Sequence, residues 1–262
     1  MTPITDTQRA YLKAMGVDVW VRRDMPEAGA TLAADTAVPA TAETESAPPE
    51  PAMQVSTSAP QAEAPFPDRP TLDWDELEQR VRQCQLCDLH KTRTQAVFGV
   101  GNRNADWLII GEAPGADEDR QGEPFVGRAG QLLNAMLKAI DLDREQVYIA
   151  NILKCRPPGN RDPRPEEAAS CTPYLWRQIE LIQPRLILAL GRVAAQRLLQ
   201  SGSNLARLRG RVHQLEATGT PVIVTYHPAY LLRSPGEKGK AWLDLLLARD
   251  YVARAGSDGA QG

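Results

Sequence analysis

The hydrophobic and polar positions of this chain alternate between two kinds of segment from residue 72 onward. Short, continuously apolar runs are typical of strands buried on both faces of a parallel sheet. Segments with apolar residues three or four positions apart indicate amphipathic helices that cover such a sheet. The apolar runs lie at 107–110, 147–153, 186–191 and 221–228, and the helical patterns at 72–83, 128–140, 192–200 and 240–252. The pattern predicts an α/β fold, a three-layer α/β/α sandwich around a four-stranded parallel sheet.

Polar residues interrupt the apolar pattern where three of the predicted strands end. Glu112 comes just after the first strand, Asn151 lies near the end of the second, and His227 ends the fourth. Right-handed crossovers bring the carboxyl ends of parallel strands to one edge of the sheet. We therefore expect these three side chains to meet in a cleft.

The segment from 111 to 130 connects the first strand to the next helix and is too polar to be core. It contains five glycines and two prolines, with Phe125 as its one aromatic residue. Long polar loops at strand ends are usually functional. Neither GxGxxG nor GxxxxGK[ST] occurs in it, so a phosphate-binding loop is not indicated. A carboxylate and an aromatic ring on one flexible loop favour a flat, polar ring as the ligand.

A second stretch, LARLRGRVHQL, carries Arg207, Arg209 and Arg211 at alternate positions. Alternation of this kind predicts the solvated face of a β-ribbon. The same three side chains would also suit contacts with DNA phosphates, and the sequence leaves both readings open.

Composition divides the chain into an acidic leader and a mildly basic domain. Residues 1–75 carry five bases and twelve acids, while the remainder carries 25 bases and 21 acids. Residues 24–68 lack Lys and Arg and are rich in Ala, Pro, Thr and Glu, a composition that cannot offset the entropy of folding. We expect a short helical leader at 1–23, a disordered linker at 24–70, a globular domain at 71–252 and a disordered tail at 253–262. No signal peptide or membrane-spanning run is evident, which predicts a cytoplasmic protein. The family resemblance described below further implies that it is nucleoid-associated.

The four cysteines of the chain predict one metal centre. Cys84 and Cys87 form a C-x2-C pair, and Cys155 and Cys171 follow with fifteen residues between them. Cytosolic proteins seldom keep disulfides, and C-x2-C is a metal-binding spacing. The spacing leaves zinc and an iron–sulfur cluster equally open. In either case the metal would clamp the first helix to the loop after the second strand.

Four motifs together resemble the family 4 uracil-DNA glycosylases. They are GEAPGADED at 111–119, PFVGRAGQLL at 124–133, NILKCRPPGNRDP at 151–163 and HPAYLLR at 227–233. The resemblance covers roughly residues 72–250 and implies a monofunctional enzyme that excises uracil from DNA and leaves an abasic site. It also implies that the four cysteines hold a [4Fe–4S] cluster, with zinc as the alternative.

The same resemblance implies roles for single residues. Gly111, Glu112 and Ala113 would line the uracil, Phe125 would stack on it, and Asn151 would read its Watson–Crick edge. His227 would stabilise the developing anion at O2, and Glu112, Glu118 and Asn160 would take part in the chemistry. Leu231 or Leu232 would enter the gap left by the flipped nucleotide, with Arg233 near a phosphate.

The leader has a resemblance of its own. Residues 5–23 combine a short helical pattern, Gly16, Trp20 and the pair Arg22–Arg23, and are similar to the N-terminal peptide of the psi subunit of the bacterial clamp loader. One interpretation is that this peptide docks on clamp-loader or other replisome subunits. Two alternatives stand beside it. In the first, the leader folds back on its own domain. In the second, the chain is a replisome subunit whose glycosylase-like domain serves mainly as a scaffold.

Overall fold

The computed structural model describes Arg9, Lys13 and residues 72–258. Apart from those two residues, the predicted leader at 1–23 and linker at 24–70 lie outside the described residues. The end of the predicted tail does so as well.

The domain is built on a six-stranded sheet. In spatial order the strands run β1-β3-β2-β4-β6-β5. Their bounds are β1 Val100–Gly101, β2 Trp107–Gly111, β3 Tyr148–Asn151, β4 Leu186–Leu190, β5 Val212–Gln214 and β6 Pro221–Thr225. The four central strands are parallel, as predicted. The expected count of four strands was too low, because β1 and β5 add antiparallel edges. These edges are two and three residues long and largely exposed, so no apolar run marks them.

Helices cover both faces of the sheet and complete the predicted three layers. Their bounds are α1 Trp74–Arg82, α2 Ala116–Gln121, α3 Arg128–Ala139, α4 Pro165–Ile182, α5 Arg192–Leu198, α6 Leu205–Leu208, α7 Pro228–Arg233 and α8 Lys238–Asp258. Helices α1, α4, α5 and α6 pack on one face, whereas α3, α7 and α8 pack on the other. Successive residues of β2 serve opposite layers, since Leu108 and Ile110 join the first core and Ile109 joins the second.

The structure departs from two of the predicted elements. Helix α8 continues to Asp258 instead of ending at 252, since Ala253, Arg254 and Ala255 are good helix formers. The arginine-rich stretch is not a β-ribbon, because α6 precedes the short strand β5.

Arg209 is not a solvated side chain either. Its guanidinium lies 2.7 Å from the carboxylate of Asp244, and both side chains are nearly buried. Arg207 and Arg211 are exposed. A sequence period of two could not reveal this ion pair, because Asp244 lies 35 residues further along the chain.

The sheet topology brings the carboxyl ends of the parallel strands to one edge. Gly111 at the end of β2 is paired with Asn151 at the end of β3. Two residues after β6 ends, His227 forms the N-cap of α7. Within the part of the chain that the structure describes, no helix is long and apolar enough to cross a membrane.

Candidate active site

A cleft of about 390 Å³ opens at this edge of the sheet. Its lining brings together most of the residues that the sequence singled out. They are Glu112, Ala113, Glu118, Phe125, Asn151, Asn160, His227 and Arg233, joined by Tyr230, Arg161 and Asp162. Gly111 lies directly behind the lining, against Asn151 and Phe125. The predicted convergence of Glu112, Asn151 and His227 is therefore present.

Asn151 presents a buried amide at the base of the cleft. The side chain is 2% exposed, and its Oδ1 is one of the few buried polar atoms in residues 72–258 that lack a hydrogen-bond partner. A buried acceptor without a partner costs free energy comparable to a lost hydrogen bond. An acceptor left unpaired beside a cleft is suited to a ligand that brings an N–H donor.

Phe125 forms one wall of the cleft and is held in an unusual backbone conformation. Its φ of 56° lies in the left-handed region, which bulky residues rarely adopt. The guanidinium of Arg144 fixes this bend by donating to the carbonyl of Phe125 at 3.3 Å and to that of Pro124. Gly130 permits it, since a Cβ there would overlap the carbonyl oxygen of Phe125. Neither Arg144 nor Gly130 could be assigned to the site from the sequence pattern.

His227 is a neutral imidazole whose outer nitrogen is a donor. The main-chain N–H of Ala229 donates to Nδ1 at 3.2 Å, which makes Nδ1 the acceptor and leaves the proton on Nε2. Burial, and then the positive charge of Arg233, lower the pKa of His227 to about 4, while Glu118 opposes the shift. The ring lies 5.5 Å from the Phe125 ring, centroid to centroid. The imidazole is thus a fixed N–H donor at neutral pH.

The carboxylate of Glu118 links two parts of the loop by hydrogen bonds. Its Oε1 accepts hydrogen bonds from the main-chain N–H groups of Val126 and Gly127 at 3.0 and 3.2 Å. Its Oε2 accepts one from Gly115 at 3.1 Å. The carboxylate therefore holds the residues that follow Phe125 against the start of α2. Any part for Glu118 in the chemistry itself stays a prediction.

Glu112 is the carboxylate of the cleft whose protonation is most perturbed. Burial raises its pKa to about 7, with a further contribution from the negative charge of Asp162. The positive charge of Arg192 lowers the pKa of Glu112 in part, and Arg192 also forms an ion pair with Asp162 at 2.7 Å. A group with a pKa near 7 is suited to exchanging protons at neutral pH.

Asn160 and Arg233 lie on the exposed rim of the cleft. Asn160 has a left-handed backbone with φ of 55°, and its Oδ1 accepts a hydrogen bond from Nε of Arg156 at 2.7 Å. Arg233 ends α7, the helix that His227 begins.

The structure separates the two leucines that were expected to enter DNA. Leu231 is 1% exposed and packs in the core with residues of α3 and α8, so its insertion into DNA stays a prediction. Leu232 is exposed but does not line the cleft. The neighbouring Tyr230 is 38% exposed and does line it. Tyr230 was missed, although its position three residues after His227 on the same helix was the signal.

All four cysteines border one small cavity on the α1–α4 side of the sheet. Nη1 of Arg93 donates to Sγ of Cys155 at 2.9 Å, and the main-chain N–H of Lys154 donates to Sγ of Cys171 at 3.2 Å. Burial raises the pKa of Cys171 to about 12, so a bound cation is needed to make it a thiolate. Among residues 72–258, no three His, Cys, Asp or Glu side chains are drawn together as ligands of a single ion.

Lys154 connects the cysteines to the cleft. It is 1% exposed, and its ammonium donates to the main-chain carbonyl of Asn151 at 3.0 Å and to Oε1 of Gln178 at 2.6 Å. Sequence patterning did not identify it, because a lysine after an apolar run normally lies at the surface.

Comparison with known proteins gives consistent results. The family model described as the Uracil DNA glycosylase superfamily matches residues 98–248. A type-4 uracil-DNA glycosylase of Archaeoglobus fulgidus is 50% identical over 167 residues, covering 62% of this chain and 84% of that protein. The type-4 enzyme of Pyrobaculum aerophilum is 42% identical over 67% of this chain and 93% of its own length. That of Thermotoga maritima is 40% identical over 69% and 95%.

Proposed function

The chain belongs to the type-4 uracil-DNA glycosylases of the uracil-DNA glycosylase superfamily, and we propose that its cleft hydrolyses the N-glycosidic bond of a flipped deoxyuridine. It is a DNA-repair glycosylase. One observation carries the assignment of the site. The same cleft contains an unpartnered acceptor, the amide oxygen of Asn151, and a neutral N–H donor, the imidazole of His227. The ring of Phe125 forms a wall of the same cleft and lies 5.5 Å from the His227 ring.

Asn151 reads the base. Its amide oxygen accepts the N3–H of uracil, and its NH₂ group donates to O4. Cytosine has the reverse pattern, with an acceptor at N3 and an amino group at C4, so it would leave the buried amide unsatisfied. Phe125 stacks on the ring, which contributes about 1–3 kcal/mol for a base on an aromatic side chain.

His227 stabilises the leaving group. When the bond between C1′ and N1 breaks, N1 takes the electron pair and negative charge spreads to O2. The Nε2–H of the neutral imidazole donates a hydrogen bond to that oxygen and so stabilises its negative charge. The donor is oriented in advance by the hydrogen bond that Nδ1 accepts from Ala229.

Glu112 serves the attacking water. Its ionised carboxylate accepts a proton as the water oxygen bonds to C1′, which leaves an abasic site and the uracil anion. Transfer of that proton to the anion gives uracil and restores the carboxylate. Gly111 and Ala113 leave room for the base beside it. Glu118 and Asn160 support this step by placing the water, Glu118 through the loop that its carboxylate holds. Arg233, exposed at the rim, contacts a phosphate.

We also propose that Cys84, Cys87, Cys155 and Cys171 hold a [4Fe–4S] cluster. Four cysteine thiolates are the usual ligand set of such a cluster, and all four border one cavity. When bound, the cluster supplies a structural clamp between α1, α4 and the loop after β3.

The clamp-loader partner stays a prediction about residues 5–23. The scaffold alternative is not favoured, because the residues of the cleft are in place and the three relatives described above are type-4 uracil-DNA glycosylases. The binding test is a pull-down of clamp-loader subunits by the full chain and by a chain lacking residues 1–70. Equal capture by both would rule the leader out as the docking peptide.

The proposed function is tested by incubating the full chain with single- and double-stranded oligonucleotides that contain one uracil or one cytosine. We expect an alkali-labile site at uracil and none at cytosine. Asn151→Asp should lower this discrimination, because a protonated aspartic acid can donate to N3 of cytosine. Absence of cleavage at uracil by the iron-loaded protein would overturn the proposal.

A further inference from the structure

Tyr226, Tyr230 and Arg209 form a stacked column beside the cleft. The rings of Tyr226 and Tyr230 lie 5.2 Å apart with an interplanar angle of 24°. The guanidinium of Arg209 lies 4.1 Å from the centroid of the Tyr226 ring. The order of the column is thus guanidinium, first ring, second ring.

The inner end of this column is fixed. Arg209 donates to the carboxylate of Asp244 and to the main-chain carbonyl of Lys240, both at 2.7 Å. Asp244 is 1% exposed. The Tyr226 side chain also lies close to Glu237, which, after burial, helps to raise the pKa of its hydroxyl. Tyr226 therefore offers Tyr230 a rigid surface, so that the Tyr230 ring loses little freedom when it meets a ligand.

The outer end of the column is open and lies at the mouth of the cleft. Tyr230 is 38% exposed and borders the cleft together with His227 and Arg233. Its main-chain N–H donates to the carbonyl of His227 at 2.9 Å, so the ring is one helical turn from the proposed anion-stabilising group. The exposed ring thus borders the same cleft as the proposed anion-stabilising group.

We propose that Tyr230 forms a second base subsite, on which the nucleobase flanking the extruded uridine stacks. This inference rests on the proposed function. Flipping a nucleotide out of the strand deprives its neighbour of a stacking partner. An aromatic ring at the mouth of the pocket replaces that partner, and it does so for any base because every base has a π-face. The subsite takes the place expected for Leu231 or Leu232, of which one is buried and the other lies outside the cleft.

The test compares Tyr230→Ala, Tyr230→Phe and Leu232→Ala in the iron-loaded full chain. The substrates are single-stranded oligonucleotides with one uracil, carrying a tetrahydrofuran spacer in place of the 5′ base, of the 3′ base or of neither. Single-turnover cleavage at increasing enzyme concentration separates the half-saturating concentration from the rate at saturation.

With natural flanking bases, Tyr230→Ala should raise the half-saturating concentration about tenfold and change the saturated rate little. Tyr230→Phe should behave as the wild type, because the ring is retained. On the substrate that lacks the stacked base, the wild type and Tyr230→Ala should be equal. A 2-aminopurine at that flank should be quenched on binding by the wild type and by Tyr230→Phe, but not by Tyr230→Ala.

Leu243→Ala serves as the unaffected control, since this leucine is 65% exposed on α8. The inference is overturned if Tyr230→Ala matches the wild type on every substrate, or if its loss is the same with and without the flanking base. If Leu232→Ala alone bound the substrate less tightly, and only when the flanking base was present, Leu232 and not Tyr230 would be the residue that contacts that base. Failure of the wild type to excise uracil at all would contradict the proposed function, which is a separate outcome.

Discussion

Gly111 and Asn151 face each other across neighbouring strands, and the absence of a side chain on the first creates the binding position of the second. A Cβ on Gly111 would lie 2.4 Å from Oδ1 of Asn151 and 2.7 Å from Cζ of Phe125. Both contacts are shorter than non-bonded atoms allow. The glycine is therefore what lets the amide and the aromatic ring approach the same base.

Gly111→Ala should slow uracil excision by roughly 10²-fold or more, since small misplacement of binding groups is costly in rate. The fold should persist, because the three atoms nearest the new methyl group belong to the side chains of Asn151 and Phe125 that line the cleft, and none belongs to the backbone of the sheet. Single-turnover rates and the thermal unfolding midpoint measure the two effects. Gly236→Ala is the matched control, since a Cβ there meets nothing within 4 Å. Equal rates for the two variants would show that the Gly111 position tolerates a side chain.

Glu112 should give the reaction a pH dependence near neutrality. Its pKa is raised to about 7, and the proposed role needs the carboxylate. Excision should therefore increase between about pH 6 and 8, and Glu112→Gln should lower the rate and remove that limb. A wild-type profile that is flat over this range would exclude Glu112 as the proton acceptor.

The same carboxyl should affect stability in the opposite direction. Because its folded-state pKa lies above the ordinary value of 4.5, the stability linked to its proton is complete below about pH 4.5 and is lost as the pH rises through about 7. Glu112→Gln is always neutral. It should unfold at a higher temperature than the wild type at about pH 8, and the difference should shrink toward about pH 4.

His227→Ala should slow cleavage by roughly 10²-fold, as expected for removal of one donor to a developing anion. Affinity for DNA should change little, because phosphate contacts dominate it. With a pKa of about 4, His227 stays neutral over the pH range of the assay and should contribute no limb of its own. Normal cleavage by the variant in single-turnover assays would remove the anion-stabilising role.

Cys84→Ser should reduce stability more than it alters the choice between uracil and cytosine, since the cluster is proposed to act as a clamp. The aerobically purified wild type should be yellow-brown, with four iron atoms per chain for a [4Fe–4S] cluster. Metal analysis, visible absorption and thermal unfolding check these outcomes. A colourless, folded protein with one zinc ion would contradict the cluster and show that the four cysteines hold zinc.

The sequence by itself determined the central sheet, the layers and the main members of the cleft. Continuous apolar runs indicate buried strands because every residue of a strand that is covered on both faces must be apolar. The polar residues at their ends indicate the edge of the sheet where parallel strands converge. Glu112, Asn151 and His227 could be placed together from those two facts. The cysteine spacing and the four motifs added the expected metal centre and chemistry.

Tertiary structure alone decided which side chains are free to act. Leu231 is buried because it packs in the core with residues of α3 and α8, whereas its neighbour Tyr230 is open, and Arg209 is buried because Asp244 meets it from another helix. The neutral state of His227 and the raised pKa of Glu112 arise mainly from burial by other elements. A further contribution comes from charges, Arg233 at the end of the same helix for the histidine and Asp162 in a distant loop for Glu112. Periodicity reports only which face of an element is apolar. Contacts between elements fix exposure and charge, and no local pattern encodes them.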